Sequence, residues 1–176
     1  MRYPVLGVIV FATLAGCGGS DSEDGDSRRP DPPAEARLAS DNFVRRVDAL
    51  CRATNPELAE IMRALTKARD AGRARRVSLP RTFEAFETLL RRADATTERF
   101  RVRLRAIEVP RRERAFYDAL TDSVDQGSAN LRQQVSAAEA QDAGRLRDLS
   151  VKGSVINARG KGLIAGHGGF RFCGRR

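Results

Sequence analysis

The side chains that could perform acid–base or nucleophilic chemistry in this chain are few. His167 is the only histidine, and the sequence places no nucleophile or carboxylate near it, which a general base needs within hydrogen-bond reach. Glu84 and Glu87 are the best candidates for a carboxylate pair. Both lie outside the apolar stripe of their predicted helix, however, and are expected to pair with arginines. We therefore predict that the protein is not an enzyme, and we interpret His167 as a cation near a helix C-terminus.

The patterns that hold a metal or a cofactor are also missing from the sequence. Di-iron helical bundles need Glu-x-x-His pairs that face inward, and none is present. The glycines around Lys161 lack both the Walker spacing and a preceding strand. Tyr117 falls on an apolar stripe and is interpreted as a core residue. We predict no metal site and no cofactor.

Cys17 has the clearest chemical assignment. Arg2 precedes an uncharged run of 13 residues, 3–15, and Leu-Ala-Gly then leads directly to the cysteine. This pattern resembles the lipobox of bacterial lipoproteins, whose cysteine is lipid-modified and begins the mature protein. The run is too short for a spanning helix, which needs about 20 apolar residues. We predict a signal peptide over 1–16, a lipid on Cys17 and an extracytoplasmic location on the cell membrane; a cleaved signal without lipid is the alternative.

Charge divides the rest of the chain into two pieces. Residues 17–36 carry six acids and two arginines, a net charge of −4, whereas residues 37–176 carry 29 basic and 17 acidic residues, a net charge of +12. The acidic piece has almost no residue able to pack, which predicts a disordered tether over 17–39 and one folded domain over 40–176. The basic excess is nearly all arginine, which reflects either anion binding or codon bias.

From residue 40 onward, apolar residues recur every three or four positions, which predicts helices. The first helix is expected to start near Ser40–Asp41, with a kink or break at Asn55–Pro56. Ser78 is the expected N-cap of the second helix, Pro110 separates it from the third, and Asp142 caps the fourth. Four helices with short connections predict an all-α, antiparallel up-down-up-down four-helix bundle. An elongated three-helix or dimeric arrangement is the alternative.

Cys51 and Cys173 remain after Cys17 is assigned to the lipid. Outside the membrane the compartment is oxidising, and in the predicted topology the end of helix four lies beside the start of helix one. We therefore predict a Cys51–Cys173 disulfide, with two buried free thiols as the alternative.

Four short motifs carry a resemblance to a group of known proteins. They are the lipobox with its acidic tether, Phe43–Cys51, Ala140–Gly144 and the closing Gly169–Gly174. In these motifs the chain resembles small, uncharacterised actinobacterial lipoproteins with helical-bundle domains, over nearly its whole length. The resemblance implies the bundle fold and the paired cysteines, and it implies no activity. Pro56 departs from the pattern.

A cluster of arginines marks the turn between the second and third helices. Seven lie within 16 residues: Arg99, Arg101, Arg103, Arg105, Arg111, Arg112 and Arg114. The predicted topology places this turn at the same end as the tether. Our hypothesis is that it contacts anionic lipid headgroups or wall polymers; a solvated cap is the alternative, and nucleic-acid binding conflicts with the export signal. The candidate contact residues are Arg101, Arg105, Arg111 and Arg112.

The sequence therefore predicts a non-catalytic binding or structural module of the cell envelope. Its partner would be the membrane through the Cys17 lipid, together with an envelope protein or an anionic polymer. The alternative is a small-molecule carrier with a pocket in the bundle core, in room left by Gly127, Gly153 and Gly160.

Overall fold

The computed structural model describes residues 34–174, which form four packed α-helices and no strand. The elements are α1 (Ala34–Arg73), α2 (Leu79–Arg105), a 3-10 turn (Arg111–Glu113), α3 (Arg114–Glu139) and α4 (Ala143–His167). The predicted all-α class with four helices is confirmed. The signal peptide, Cys17 and residues 17–33 of the tether lie outside the described residues.

The first helix is longer than the sequence predicts. It begins at Ala34 and not near Ser40, because Ala-Glu-Ala-Arg-Leu-Ala over 34–39 consists of strong helix formers, with Glu35 favourable in the first turn. The helix also continues through Pro56. That ring is exposed, so it removes one backbone hydrogen bond without disturbing the core. At 1.5 Å per residue, α1 is about 60 Å long.

The other helix ends follow the predicted capping residues closely. Ser78 occupies the N-cap of α2 with extended backbone, although its side chain makes no capping bond. Asp142 caps α4 by accepting a hydrogen bond from the Arg145 amide at 2.9 Å. α2 ends at Arg105, a few residues before the predicted limit at Pro110, and Pro110 leads into the 3-10 turn before α3 begins.

The core consists of two apolar clusters with a polar layer between them. One cluster lies near the α1–α2 loop and centres on Phe83, Phe86 and Leu90 of α2; the other lies at the opposite end and includes Phe43, Val47, Leu104 and Leu120. Buried polar side chains separate the two, and they are contributed by Thr96, Ser123, Ser128 and Asn130.

Glycines let α4 approach α3 at this polar layer. A Cβ added at Gly153 would lie 2.8 Å from Asn130 Nδ2, and one added at Gly160 would lie 3.0 Å from Ser123 Oγ. The space beside both glycines is therefore occupied by α3 side chains. Asn130 Nδ2 also donates to the Leu149 carbonyl at 3.1 Å, which joins the two helices directly.

The helices pack in chain order, α1 on α2, α2 on α3 and α3 on α4. Among the described residues, no Cα of α1 lies within 8 Å of a Cα of α4. The segment after α4 connects α4 to α1 instead, because Arg171, Phe172 and Cys173 contact Asp48 of α1. The C-terminal segment, and not α4 itself, brings the end of the chain to the first helix.

Candidate functional site: the basic pole and its clasp

Asp48 on α1 holds the C-terminal segment. Its Oδ1 accepts backbone N–H bonds from Arg171 at 3.0 Å, Phe172 at 2.7 Å and Cys173 at 3.0 Å. Burial raises the pKa of the Asp48 carboxyl, but the three N–H donors and the Arg171 charge outweigh it, so the pKa lies below its ordinary value. The charged carboxylate therefore stabilises the fold-back of the chain.

The Cys51–Cys173 disulfide fastens the same segment one helical turn further along α1. Asn55 Nδ2 donates to the Phe172 carbonyl at 2.8 Å, and the Arg52 guanidinium lies 5.2 Å from the centre of the Phe172 ring. The bond joins cysteines 122 residues apart; chain-entropy models assign about 4–5 kcal/mol to a loop of this size. We call this group of contacts around Asp48 and the disulfide the clasp.

His167, the last residue of α4, has a carboxylate partner that the sequence analysis missed. Its Nε2 lies 2.6 Å from Glu113 Oε2, and its Nδ1 lies 3.0 Å from the Gly168 carbonyl oxygen. Both neighbours are oxygen acceptors, so each ring nitrogen faces an oxygen. The expectation that no carboxylate lies near His167 is wrong, because Glu113 is 54 positions away in the sequence and only the fold brings the His167 side chain to it.

The His167–Glu113 pair is built as a structural contact. Glu113 is buried, and the imidazole packs against Phe116, with ring centres 4.2 Å apart, and against Phe170 at 5.3 Å. The pair links the 3-10 turn, α4 and the clasp at one end of the domain.

Two of the four arginines predicted to contact an anionic surface are paired within the domain. Arg101 binds Glu98, and Arg105 binds Asp125 on α3 at 2.6 Å. The hydrogen bond with Arg101 lowers the pKa of Glu98, and the same bond raises the pKa of Arg101. These guanidinium groups join α2 to α3, so their charges are compensated locally.

Arg111 and Arg112 remain exposed at the same end, and no ion pair formed within residues 34–174 engages them. The 3-10 turn that carries them packs against α1. Arg46 of α1 lines a surface cleft of about 200 Å³ together with Val109 and Pro110. We define the basic pole as the exposed arginines of this end: Arg45, Arg46, Arg103, Arg111, Arg112 and Arg114.

The basic pole is not uniformly positive. Asp41, Glu108 and Asp118 are exposed at the same end of the domain, whereas Asp48 and Glu113 are buried and already paired. The arginines nevertheless outnumber the exposed acids, so the field of this end attracts anions.

The described residues contain no cluster able to hold a metal, and a cavity of ligand size lies at their surface. Within 34–174, no group of three or more His, Cys, Asp or Glu residues could hold a metal ion. A cavity of about 490 Å³ lies at the α1–α2 loop, lined by surface residues such as Arg63, Lys67 and Arg76. It lies outside both apolar clusters. The space beside Gly153 and Gly160 is filled by α3 side chains, whereas a Cβ added at Gly127 would meet nothing within 4 Å.

Comparison with known proteins adds no further assignment. No family model, curated protein or solved structure matches this chain. Within residues 34–174, none of the helices is both long and apolar enough to cross a bilayer. The resemblance to actinobacterial lipoproteins therefore stays a prediction from the motifs, and the lipid site at Cys17 lies outside the described residues.

Proposed function

We propose that this protein is a lipid-anchored, extracytoplasmic and non-catalytic module whose basic pole contacts an anionic surface of the cell envelope. The single observation that carries the proposal is the exposure of Arg111 and Arg112 at the end of the domain where α1 begins. The lipobox at Cys17 would attach the chain at that same end.

The proposed architecture is an up-down-up-down bundle. Contacts of α1 with α2 support it, because Glu57 binds Arg99 near one end and Gly72 lies against Thr82 near the other. The helices α3 and α4 are likewise antiparallel, since Ser123 lies beside Gly160 and Asn130 bonds to Leu149. In this topology the start of α1, the 3-10 turn and the clasp share one end.

The tether length allows the basic pole to reach a membrane. Cys17 and Ala34 are 17 residues apart, and a relaxed chain of this length spans about 23 Å, from 5–6 Å × √17. Screening in physiological salt limits charge attraction to about 8 Å. The arginines therefore act only when the domain rests on the surface, and the tether makes that contact accessible.

Each exposed arginine near an anionic surface contributes about 1 kcal/mol. Arg111 and Arg112 together should contribute about 2 kcal/mol, or roughly a 30-fold change in affinity. The carrier alternative gains no comparable support, because the α3 side chains beside Gly153 and Gly160 occupy the space a ligand would need.

Vesicle co-sedimentation of the full chain with Cys17→Ser tests the proposal without the lipid. The test compares neutral vesicles with vesicles containing anionic lipid, and compares Arg111→Gln/Arg112→Gln with the matched control Arg76→Gln/Arg81→Gln. The control arginines are also exposed, but Arg76 lies in the α1–α2 loop and Arg81 in the first turn of α2, away from the basic pole. We expect about 30-fold weaker binding to anionic vesicles for the first pair and little change for the control.

Equal binding to neutral and anionic vesicles would overturn the proposal, as would equal losses in the two double variants. Raising the salt concentration should weaken the wild-type interaction, because the contacts are between exposed charges. Salt-insensitive binding would indicate an apolar contact instead.

A further inference from the structure

The residues that precede α1 carry the charge opposite to that of the basic pole. Residues 21–26 contain four acids and no base, and the whole stretch 17–33 has a net charge of −3. The basic pole lies at the end of the domain that this stretch enters, with Arg46, Arg111 and Arg112 exposed there. We propose that the acidic segment 21–26 docks on the basic pole of its own chain.

The geometry places the acidic segment within reach of these arginines. Asp26 is eight residues from Ala34, so a relaxed chain between them spans about 16 Å and a stretched one about 26 Å. Pro110 lines a cleft with Ala39 and Arg46, which lie about 8 Å and 18 Å along α1 from Ala34. The segment can therefore turn back along the first turns of α1 and meet the 3-10 turn.

The recognition is electrostatic and involves no apolar anchor. Residues 21–26 contain only Asp, Glu, Ser and Gly, and the arginines they would meet are exposed, so each ion pair is weak and screened by salt. The short connection to α1 compensates for these weak ion pairs, because it holds the acidic segment at an effective concentration in the millimolar range near the basic pole. Docking of this kind is partial, reversible and sensitive to ionic strength.

The docked segment would compete with an anionic surface for the same guanidinium groups. This consequence rests on the proposed function, whereas the docking itself does not. A membrane or wall polymer of high charge density would displace the segment, and a weakly charged surface would not. The acidic segment therefore sets a threshold of surface charge below which the basic pole stays occupied by its own chain.

Zero-length carbodiimide cross-linking tests the docking directly, because it joins only a carboxylate and an amine already in contact. The full chain with Cys17→Ser receives Arg111→Lys in one sample and Arg76→Lys in the other. Both substitutions keep the positive charge, and position 76 lies in the α1–α2 loop at the far end. We expect mass spectrometry to find links from residues 21–26 to position 111 at least fivefold more often than to position 76, with loss of the links at high salt.

A second measurement tests the competition. Neutralising the segment with Asp21→Asn, Glu23→Gln, Asp24→Asn and Asp26→Asn should strengthen binding to anionic vesicles about two- to tenfold, because the basic pole is released. Removing negative charge also reduces general repulsion from the vesicle. The same four substitutions in the Arg111→Gln/Arg112→Gln background separate the two effects, since only the release of the pole needs these arginines.

The outcomes distinguish this inference from the proposed function. Equal or absent links at positions 111 and 76 would overturn the docking, whatever the vesicles show. Links at position 111 with no vesicle binding in any variant would support the docking and refute the proposed membrane contact. A gain in vesicle affinity that persists in the Arg111→Gln/Arg112→Gln background would overturn the competition.

Discussion

Replacing Asp48 by asparagine tests whether the clasp depends on a charged carboxylate. The substitution preserves the size of the side chain and one oxygen, but removes the negative charge from the group that accepts three backbone N–H bonds. Bonds to a charged acceptor contribute about 1.5–3 kcal/mol each and neutral ones about 1 kcal/mol. The asparagine oxygen can still accept hydrogen bonds from these amides, so we expect Asp48→Asn to lower the free energy of unfolding by about 2 kcal/mol and not by the sum of three lost bonds.

Urea unfolding followed by helical circular dichroism, with the disulfide intact, measures this loss. The matched control is Asp118→Asn, which removes an exposed acid from α3 and should change stability by less than about 0.5 kcal/mol. Hydrogen exchange at the amides of 171–173 should accelerate about 30-fold in Asp48→Asn, since about 1.4 kcal/mol corresponds to a factor of ten. Unchanged stability and unchanged exchange would refute the role given to this carboxylate.

The pH dependence of the stability difference between wild type and Asp48→Asn follows from the lowered pKa of Asp48. Its folded-state pKa lies below the ordinary value of an aspartate, so the folded protein binds fewer protons at this group than the unfolded chain does. The stabilisation is therefore complete above the unfolded pKa and is lost as the pH falls through the folded pKa. The difference in the free energy of unfolding between wild type and Asp48→Asn should be constant near neutral pH and should shrink as the pH falls into the acid range. A difference that grows in acid would contradict this reasoning.

Two further predictions concern the glycines of α4 and the lipid anchor. Gly153→Ala should destabilise the protein, because the added Cβ would lie 2.8 Å from Asn130 Nδ2. Gly162→Ala meets nothing within 4 Å and should stabilise the protein by about 0.5–1 kcal/mol through helix propensity. Thermal unfolding measures both changes, and melting temperatures that shift in the same direction would contradict the close packing of α4 on α3. Cys17→Ser should move the protein from the membrane fraction to the soluble fraction of the cells that export it, and an unchanged distribution would contradict the lipid anchor.

The disulfide and the polar contacts of the clasp act on the same short segment by different means. Cys51–Cys173 restricts the unfolded chain, whereas Asp48 and Asn55 bind the folded conformation of the segment. The His167–Glu113 pair adds a third link at the end of α4. Together these contacts close the side of the domain where α1 and α4 do not approach each other, at the end that carries the basic pole.

Patterns among residues close together in the sequence were sufficient to predict much of the fold. The recurrence of apolar residues every three or four positions predicted helices, and Ser78 and Asp142 predicted helix starts, because periodicity and capping depend on residues close in the chain. The same reasoning placed the start of α1 near Ser40 instead of Ala34, and the break that it allowed at Pro56 is absent. Helix formers extended the first end, and an exposed proline was tolerated in the interior.

The partners of several charged groups were decided by the tertiary structure. Arg105 and Arg112 look equivalent in the sequence, yet one is bound to Asp125 of α3 and the other is exposed. Asp48 and His167 each have partners more than 50 residues away. Charge pairing acts over a few ångströms in space, and a sequence shows which residues carry charge but not which of them the packing of helices brings within that distance.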